Sequence, residues 1–239
     1  MHEKKPWLKF YGDIPEHIDY PRVTMYEALM QTVSKNPAAV AYDFFGHTAT
    51  YRQFAAEIDR CADALSALGL KKGDRITISM PTCPQGIICF YAANKLGAVA
   101  SMIHPLSPAK EIEFYLNTAK SRFALTLDAF FGKFKEVEGK TDLKTLILCR
   151  IPDYLPLIKR IGFNLTKGRK IPPVPEDRLV VWWKDLMRGS YPAAPKSNMD
   201  TDEMAVILFS GGTTGVPKGI MLSNYNFISE GMQVSVSCT

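Results

Sequence analysis

The sequence predicts an α/β fold: a mostly parallel sheet with helices on both faces, joined to an antiparallel hairpin. Three observations carry this. Short apolar runs alternate with longer helical runs between residues 39 and 149, the order that builds parallel sheets covered by helices. The longer runs begin and end on recognisable start and stop signals. Further on, two apolar runs at 205–209 and 220–222 flank the glycine-rich stretch Ser210-Gly211-Gly212-Thr213-Thr214-Gly215-Val216-Pro217-Lys218-Gly219, which reads as strand, loop, strand.

Taken in order, residues 1–22 are an irregular arm whose aromatics, Trp7, Phe10 and Tyr11, are expected to lie on the body of the protein. Thr24 and Glu27 form a capping box that starts a helix running to about residue 34, ended by Asn36-Pro37. Residues 39–44 read as a strand, Gly46-His47 as a turn and 48–50 as a return strand. Thr50 and Gln53 form a second capping box. The helix it opens carries one apolar stripe, Phe54, Ile58, Cys61, Leu65 and Leu68, and Gly69 stops it.

Residues 75–80 read as a strand. A helix with Pro84 in its first turn follows and runs to about Leu96, with Gly97 as its stop, and 98–103 is a buried strand. The apolar span from Gly86 to Ile103 is not a membrane segment, because Asn94, Lys95 and Gly97 interrupt its middle. Ser107-Pro108 begins a helix with Ile112, Tyr115, Leu116 and Ala119 on one face. Strands at 123–127 and 143–149 flank a helix-like stretch at 129–138.

From 151 to 175 this order breaks down under five prolines and a run of basic residues. Leu155, Leu157, Ile158, Ile161 and Phe163 suit a short amphipathic basic helix able to touch anionic lipid. The plainer expectation is a solvated excursion with one apolar side on the core. Residues 178–183 read as a strand, 190–198 as a loop, and Ser223-Asn224 as the cap of a helix through Phe227 and Met232.

At 239 residues, 46% hydrophobic and 22% charged, the composition is that of a soluble globular protein. The net charge of +5 is explained by a solvated surface, and no basic stripe interleaved with aromatics points to nucleic acid. The five cysteines, Cys61, Cys83, Cys89, Cys149 and Cys238, include no Cys-x-x-Cys pair, and no histidine stands at metal-ligand spacing. Reduced, mostly buried thiols are expected, which suits a cytoplasmic protein.

The glycine-rich stretch carries the chemistry. Its glycines let backbone N–H groups turn toward a ligand and form a concave anion site. Ser210, Thr213 and Thr214 add hydroxyl donors, and Lys218 adds a point charge suited to phosphate. It is not a P-loop, because Lys218 is followed by Gly219 rather than by a hydroxyl residue opening a helix. A plain hairpin turn needs far less than this.

This stretch, continued by Ile220-Met221-Leu222-Ser223-Asn224, resembles the phosphate-binding signature of the adenylate-forming superfamily, in the form found in bacterial fatty-acid–CoA ligases. The Pro6-Trp7-Leu8 arm and the ordered run from Pro37 to Leu127 resemble the same group. The resemblance implies the N-terminal part of the adenylate-forming fold: an arm at 1–22, an α/β core at 23–150, a basic, Pro-rich excursion at 151–199, and the phosphate-loop hairpin with the start of the next helix at 200–239.

It also implies ATP, Mg2+ and coenzyme A as cofactors or substrates, a fatty acid as the carboxylate, and Ser210, Gly211, Gly212, Thr213, Thr214, Gly215 and Lys218 as the triphosphate-binding residues. The family's catalytic residues fall beyond Thr239, so no catalytic or metal-binding residue is assigned here. The expectation is an N-terminal piece that does not turn over alone, cytoplasmic, with peripheral contact at the inner membrane through 151–175. Two alternatives remain: an adenylation domain loading amino or aryl acids onto a carrier protein, and a non-catalytic nucleotide-binding piece. Where many relatives have histidine this chain has Asn224, which cannot titrate near neutrality. His104 either lines a substrate tunnel or is structural.

Overall fold

The computed structural model describes residues 5–195, 197–211, 215 and 217–237. Strands β1 (Val40–Phe44) and β2 (His47–Thr50) form a small antiparallel hairpin. Among the described residues the main sheet has seven strands: β3 (Arg75–Ser79), β4 (Val99–Met102), β5 (Phe123–Leu127), β6 (Thr145–Cys149), β7 (Val180–Trp182), β8 (Met204–Ser210) and β9 (Lys218–Ser223). Their order is β7-β6-β5-β3-β4-β8-β9. Every neighbouring pair is parallel except β8 and β9.

Among the described residues eight α-helices surround it: α1 (Met25–Lys35), α2 (Tyr51–Ala67), α3 (Pro84–Lys95), α4 (Ala109–Ala119), α5 (Phe131–Val137), α6 (Leu157–Leu165), α7 (Trp183–Arg188) and α8 (Asn224–Ser237). Helices α2, α3 and α7 bury Ile58, Ile88 and Trp183 against Ile76 and Ile78 on one face of the sheet. Helices α4 and α5 bury Ile112, Leu116 and Phe134 against Ala124, Leu146 and Leu148 on the other. Each fully buried isoleucine or leucine is worth roughly 1.5–3 kcal/mol over its exposed state.

The start and stop signals operate as the sequence predicts. Both capping boxes form, at Thr24 with Glu27 and at Thr50 with Gln53. Helix α2 ends in a Schellman turn: the Leu70 N–H reaches the Leu65 carbonyl and the Gly69 N–H reaches that of Ser66. Gly69 sits at φ +95°, where a side chain would be strained.

Helix α1 is tied to the body at its N-terminus. The Met25 N–H donates to Asn224 Oδ1 at 3.0 Å, and the Tyr26 N–H donates to Asn94 Oδ1 at 2.9 Å. Asn94 Nδ2 then donates to Asn224 Oδ1 at 2.8 Å. Two buried amides, one from α3 and one from α8, thus satisfy backbone donors that a helix leaves free. A second node is Glu57 on α2. Its carboxylate accepts from Tyr42 of β1 at 2.8 Å and from Tyr154, just ahead of α6, at 3.2 Å. Burial first, and the Glu57 charge next, push both phenols well up, so they remain donors at any working pH.

Three expectations are corrected. Trp7 and Phe10 of the arm are 52% and 79% exposed rather than packed on the body, because the arm's turn around Leu8–Phe10 is held by its own backbone bonds and buries nothing. Helix α7 directly follows β7 where only a strand was expected; six residues are too few to display a helical period. Helix α6 does form within the basic stretch, but its apolar stripe does not lie on the core.

Asn224→Ala leaves the Met25 N–H and the Asn94 amide without their acceptor and is expected to cost about 2–3 kcal/mol, read from urea unfolding midpoints. Cys61, Cys89 and Cys149 are wholly buried, and burial pushes the Cys61 and Cys149 thiols well up. All three should resist iodoacetamide in the folded protein at pH 8 and react fully in 6 M guanidinium chloride (~6 M, far above ordinary unfolding midpoints).

Candidate active site

The glycine-rich loop is carried by two paired strands. Register runs from Val206 opposite Leu222 to Ser210 opposite Lys218, so the last rung sets a hydroxyl across from an ammonium. Close packing fixes this end of the hairpin. The Phe209 ring lies 4.4 Å from that of Tyr115 on α4. Across the hairpin, a Cβ on Gly219 would come within 3.3 Å of the same Phe209 ring and 3.2 Å of Ile207 Cγ2. Glycine therefore stands where the apolar side chains of β8 cross β9 closely.

Of the predicted triphosphate residues, Ser210, Gly211, Gly215 and Lys218 are described; Gly212, Thr213 and Thr214 lie outside the described residues. Gly211 is exposed and a Cβ there would meet nothing within 4 Å. Gly215 has φ +85°, a backbone state that glycine adopts without strain. Lys218 is exposed and forms no ion pair among the described residues, which leaves its ammonium for an incoming anion.

One strand across the sheet from β8 is an apolar cleft of about 360 Å³, within the range of ligand pockets (on the order of 300–1,000 Å³). Phe44 of β1, Met80 and Cys83 after β3, Ile87 and Phe90 of α3, and Met102 of β4 line it. Met102 pairs with Leu208, two residues before Ser210. Alternation along β8 puts Leu208 and Ser210 on the same face as Met102. The cleft opens past the carboxyl ends of β3 and β4, where Met80 and Met102 stand. Open α/β sheets bind ligands at such points, at the carboxyl ends of their strands.

Sequence reasoning missed this cleft, because its walls come from four separate elements. The signal within reach was the Pro81-Thr82-Cys83-Pro84 turn after an apolar strand. His104 is exposed just past β4, and its Nδ1 accepts from the Leu106 N–H at 3.2 Å, so it staples a turn and does not line the cleft. Asn224 is fully buried under α1, its oxygen shared by two donors, and holds the fold instead of facing a substrate.

The model of the AMP-binding enzyme family matches residues 29–239. The chain belongs to that family. It is 30% identical over 235 residues to a long-chain-fatty-acid–CoA ligase of Bacillus subtilis, covering 96% of this chain and 42% of the relative. It is 28% identical over 186 residues to an acetyl-coenzyme A synthetase of Rubrobacter xylanophilus, covering 76% of this chain and 27% of that one.

Among solved structures, a long-chain-fatty-acid-CoA ligase from Archaeoglobus fulgidus superposes with a TM-score of 0.72 at 20% identity, over 92% of this chain and 40% of that chain. An anthranilate CoA ligase in complex with anthranoyl-AMP gives 0.70 at 18% identity, over 85% and 35%. These two likenesses bear on the fold: the sheet and its helices are those of adenylate-forming enzymes. The sequence relatives are coenzyme A ligases of fatty acids and a synthetase of acetyl-coenzyme A. The chain spans about two fifths of the length of the fatty-acid ligases it matches. No helix among the described residues is long and apolar enough to cross a membrane.

Lys218→Gln keeps length and polarity but removes the charge. It is expected to weaken binding of inorganic tripolyphosphate by tenfold or more, since a hydrogen bond to a charged group is worth about 1.5–3 kcal/mol; calorimetry on the two chains checks it.

Proposed function

We propose that this chain forms the phosphate-binding and acyl-binding part of a fatty-acid–CoA ligase. The observation that carries the proposal is the placing of an apolar cleft one strand away from an anion loop, joined through the Met102–Leu208 pair. An alkyl chain suits the cleft and a triphosphate suits the loop, so a carboxylate at the head of that chain would stand near the phosphates.

In the first step a carboxylate oxygen attacks the α-phosphorus of ATP, and the bond to the β,γ-pyrophosphate breaks. The product is an acyl-adenylate. The donors of residues 210–215 and the Lys218 ammonium hold the β- and γ-phosphates and stabilise the charge that collects on the departing pyrophosphate. In the second step the thiol of coenzyme A attacks the acyl carbon and AMP leaves. Cleft walls of Phe44, Phe90 and Met102 hold the chain and keep water from the mixed anhydride.

Among the described residues no group of three or more His, Cys, Asp or Glu is placed to hold a metal ion. Magnesium in this proposal enters with the triphosphate, as it does where phosphates supply most of its ligands. The groups that orient the carboxylate and bind adenine are not assigned to this chain, and the 239 residues alone are expected to give no turnover. The location that fits is cytoplasmic, with peripheral contact at the inner membrane.

AMP release by the full-length ligase, followed with and without coenzyme A across fatty, aryl and amino acids, tests the proposal. Coenzyme-dependent AMP that peaks with fatty acids is the expected result. Activity confined to amino or aryl acids, or indifferent to coenzyme A, would move the protein to the carrier-loading class.

A further inference from the structure

We infer that α6 is an interfacial helix which, with the exposed ring of Phe45 beside it, seats this chain on an anionic lipid surface. Leu157, Ile158, Ile161 and Leu165 are 61%, 85%, 51% and 55% exposed. At about 100° per residue all four fall within one arc of about 100°. The opposite side of the helix carries Phe163, which is half-buried, and Lys159, whose ammonium donates to the Phe45 carbonyl at 2.7 Å. The usual arrangement is thus inverted. The body grips the helix by its far side, and the apolar stripe points outward.

The neighbouring residues fit a lipid leaflet in particular. Phe45, at the tip of the β1–β2 hairpin, is 63% exposed and held at φ +55°, and its ring lies 5.9 Å from the Lys159 ammonium, on the side of α6 that the body grips. Residues 151–175 hold five basic side chains, Lys159, Arg160, Lys167, Arg169 and Lys170, against one acidic, Asp153. That is +4 of the chain's net +5, concentrated around one helix. Behind α6 is a notch of about 350 Å³, partly polar, to which Arg150, Arg169, Asn164 and Asp128 contribute beside Phe163, Ile171 and several prolines. Apolar residues flanked by basic ones are the pattern of helices that lie in the headgroup layer.

Two further exposed apolar side chains, on opposite faces of one strand, show the contrast. Ile220 and Met221 on β9, 46% and 71% exposed, stand at the other edge of the main sheet. Strand β9 has only Lys218 as a charge, and among the described residues its outer backbone groups have no strand beside them, so a protein strand fits it better than lipid. The hairpin carries the link to function. Phe45 directly follows Phe44, which lines the apolar cleft, so a lipid-seated α6 would hold one wall of that cleft near the membrane surface. This last step rests on the fatty-acid proposal; the docking itself does not, and it is measured without turnover.

The test is flotation of this chain with vesicles of phosphatidylcholine alone or of phosphatidylcholine with phosphatidylglycerol. The chain is expected to float only with the anionic vesicles. Ile158→Glu with Ile161→Glu should lower the bound fraction more than about tenfold, as removal of two inserted side chains requires. Met221→Glu should leave binding unchanged. If the double variant fails to fold, Lys167→Gln with Arg169→Gln and Lys170→Gln reads the same surface through its charge and should also reduce binding. No flotation, equal flotation with neutral vesicles, or loss through Met221→Glu would overturn the inference. A vesicle-free dimer broken by the α6 substitutions would overturn it as well, by giving the stripe to a second copy.

Discussion

The pairing of β4 with β8 is the constraint on which the rest depends. Ala100, Ser101 and Met102 take Val206, Ile207 and Leu208 as partners more than a hundred residues later in the chain. Closing so long a loop costs entropy, and the return is a strand at the middle of an apolar sheet with its backbone bonds satisfied. This one rung pattern sets the anion loop at the carboxyl ends of the parallel strands. It also sets Ser210 on the same face as the apolar cleft. Without it the hairpin would still be a hairpin, but it would have no cleft beside it.

A second linkage reinforces the first. Asn94 on α3 and Asn224 on α8 jointly occupy the N-terminus of α1. Helix α8 leaves directly from β9, so the same two side chains tie the far end of the phosphate hairpin to the first helix of the chain. Arg22 adds a bond of 2.7 Å to Asp202, and its guanidinium lies 4.3 Å from the Tyr225 ring. Sequence-distant segments are thus brought together around the start of α8 by polar groups that have few alternative partners. Such groups favour one arrangement because an unpaired buried amide is costly.

Most of the architecture was legible because local signals and global fold agree. The Thr24–Glu27 and Thr50–Gln53 boxes, the stop at Gly69 and the stripe of α2 are each set by neighbours within one or two turns. The hairpin was legible for the same reason: apolar runs on either side of a loop rich in glycine. What was not legible depended on distance or on brevity. The cleft needs residues from β1, β3, α3 and β4 at once. The structural role of Asn224 needs α1 and α3. Helix α7 is shorter than two turns. For α6 a short helix was readable from Leu155, Leu157, Ile158, Ile161 and Phe163, but which way its stripe faces is decided by Lys159 and Phe163, and nothing local distinguishes an inward stripe from an outward one.

Strand β9 bears on how this chain behaves in concentrated solution. Among the described residues it is the last strand of the sheet, with no strand on its outer side, and Ile220 and Met221 stand exposed along it. Proteins usually guard such an edge with charge, proline or a bulge, and the only safeguard within β9 is Lys218 at its first position. Two copies meeting edge to edge could extend the sheet through backbone bonds alone, with no need for side-chain fit. Self-association by that route would grow with protein concentration and persist at high salt, unlike contacts made by surface charge.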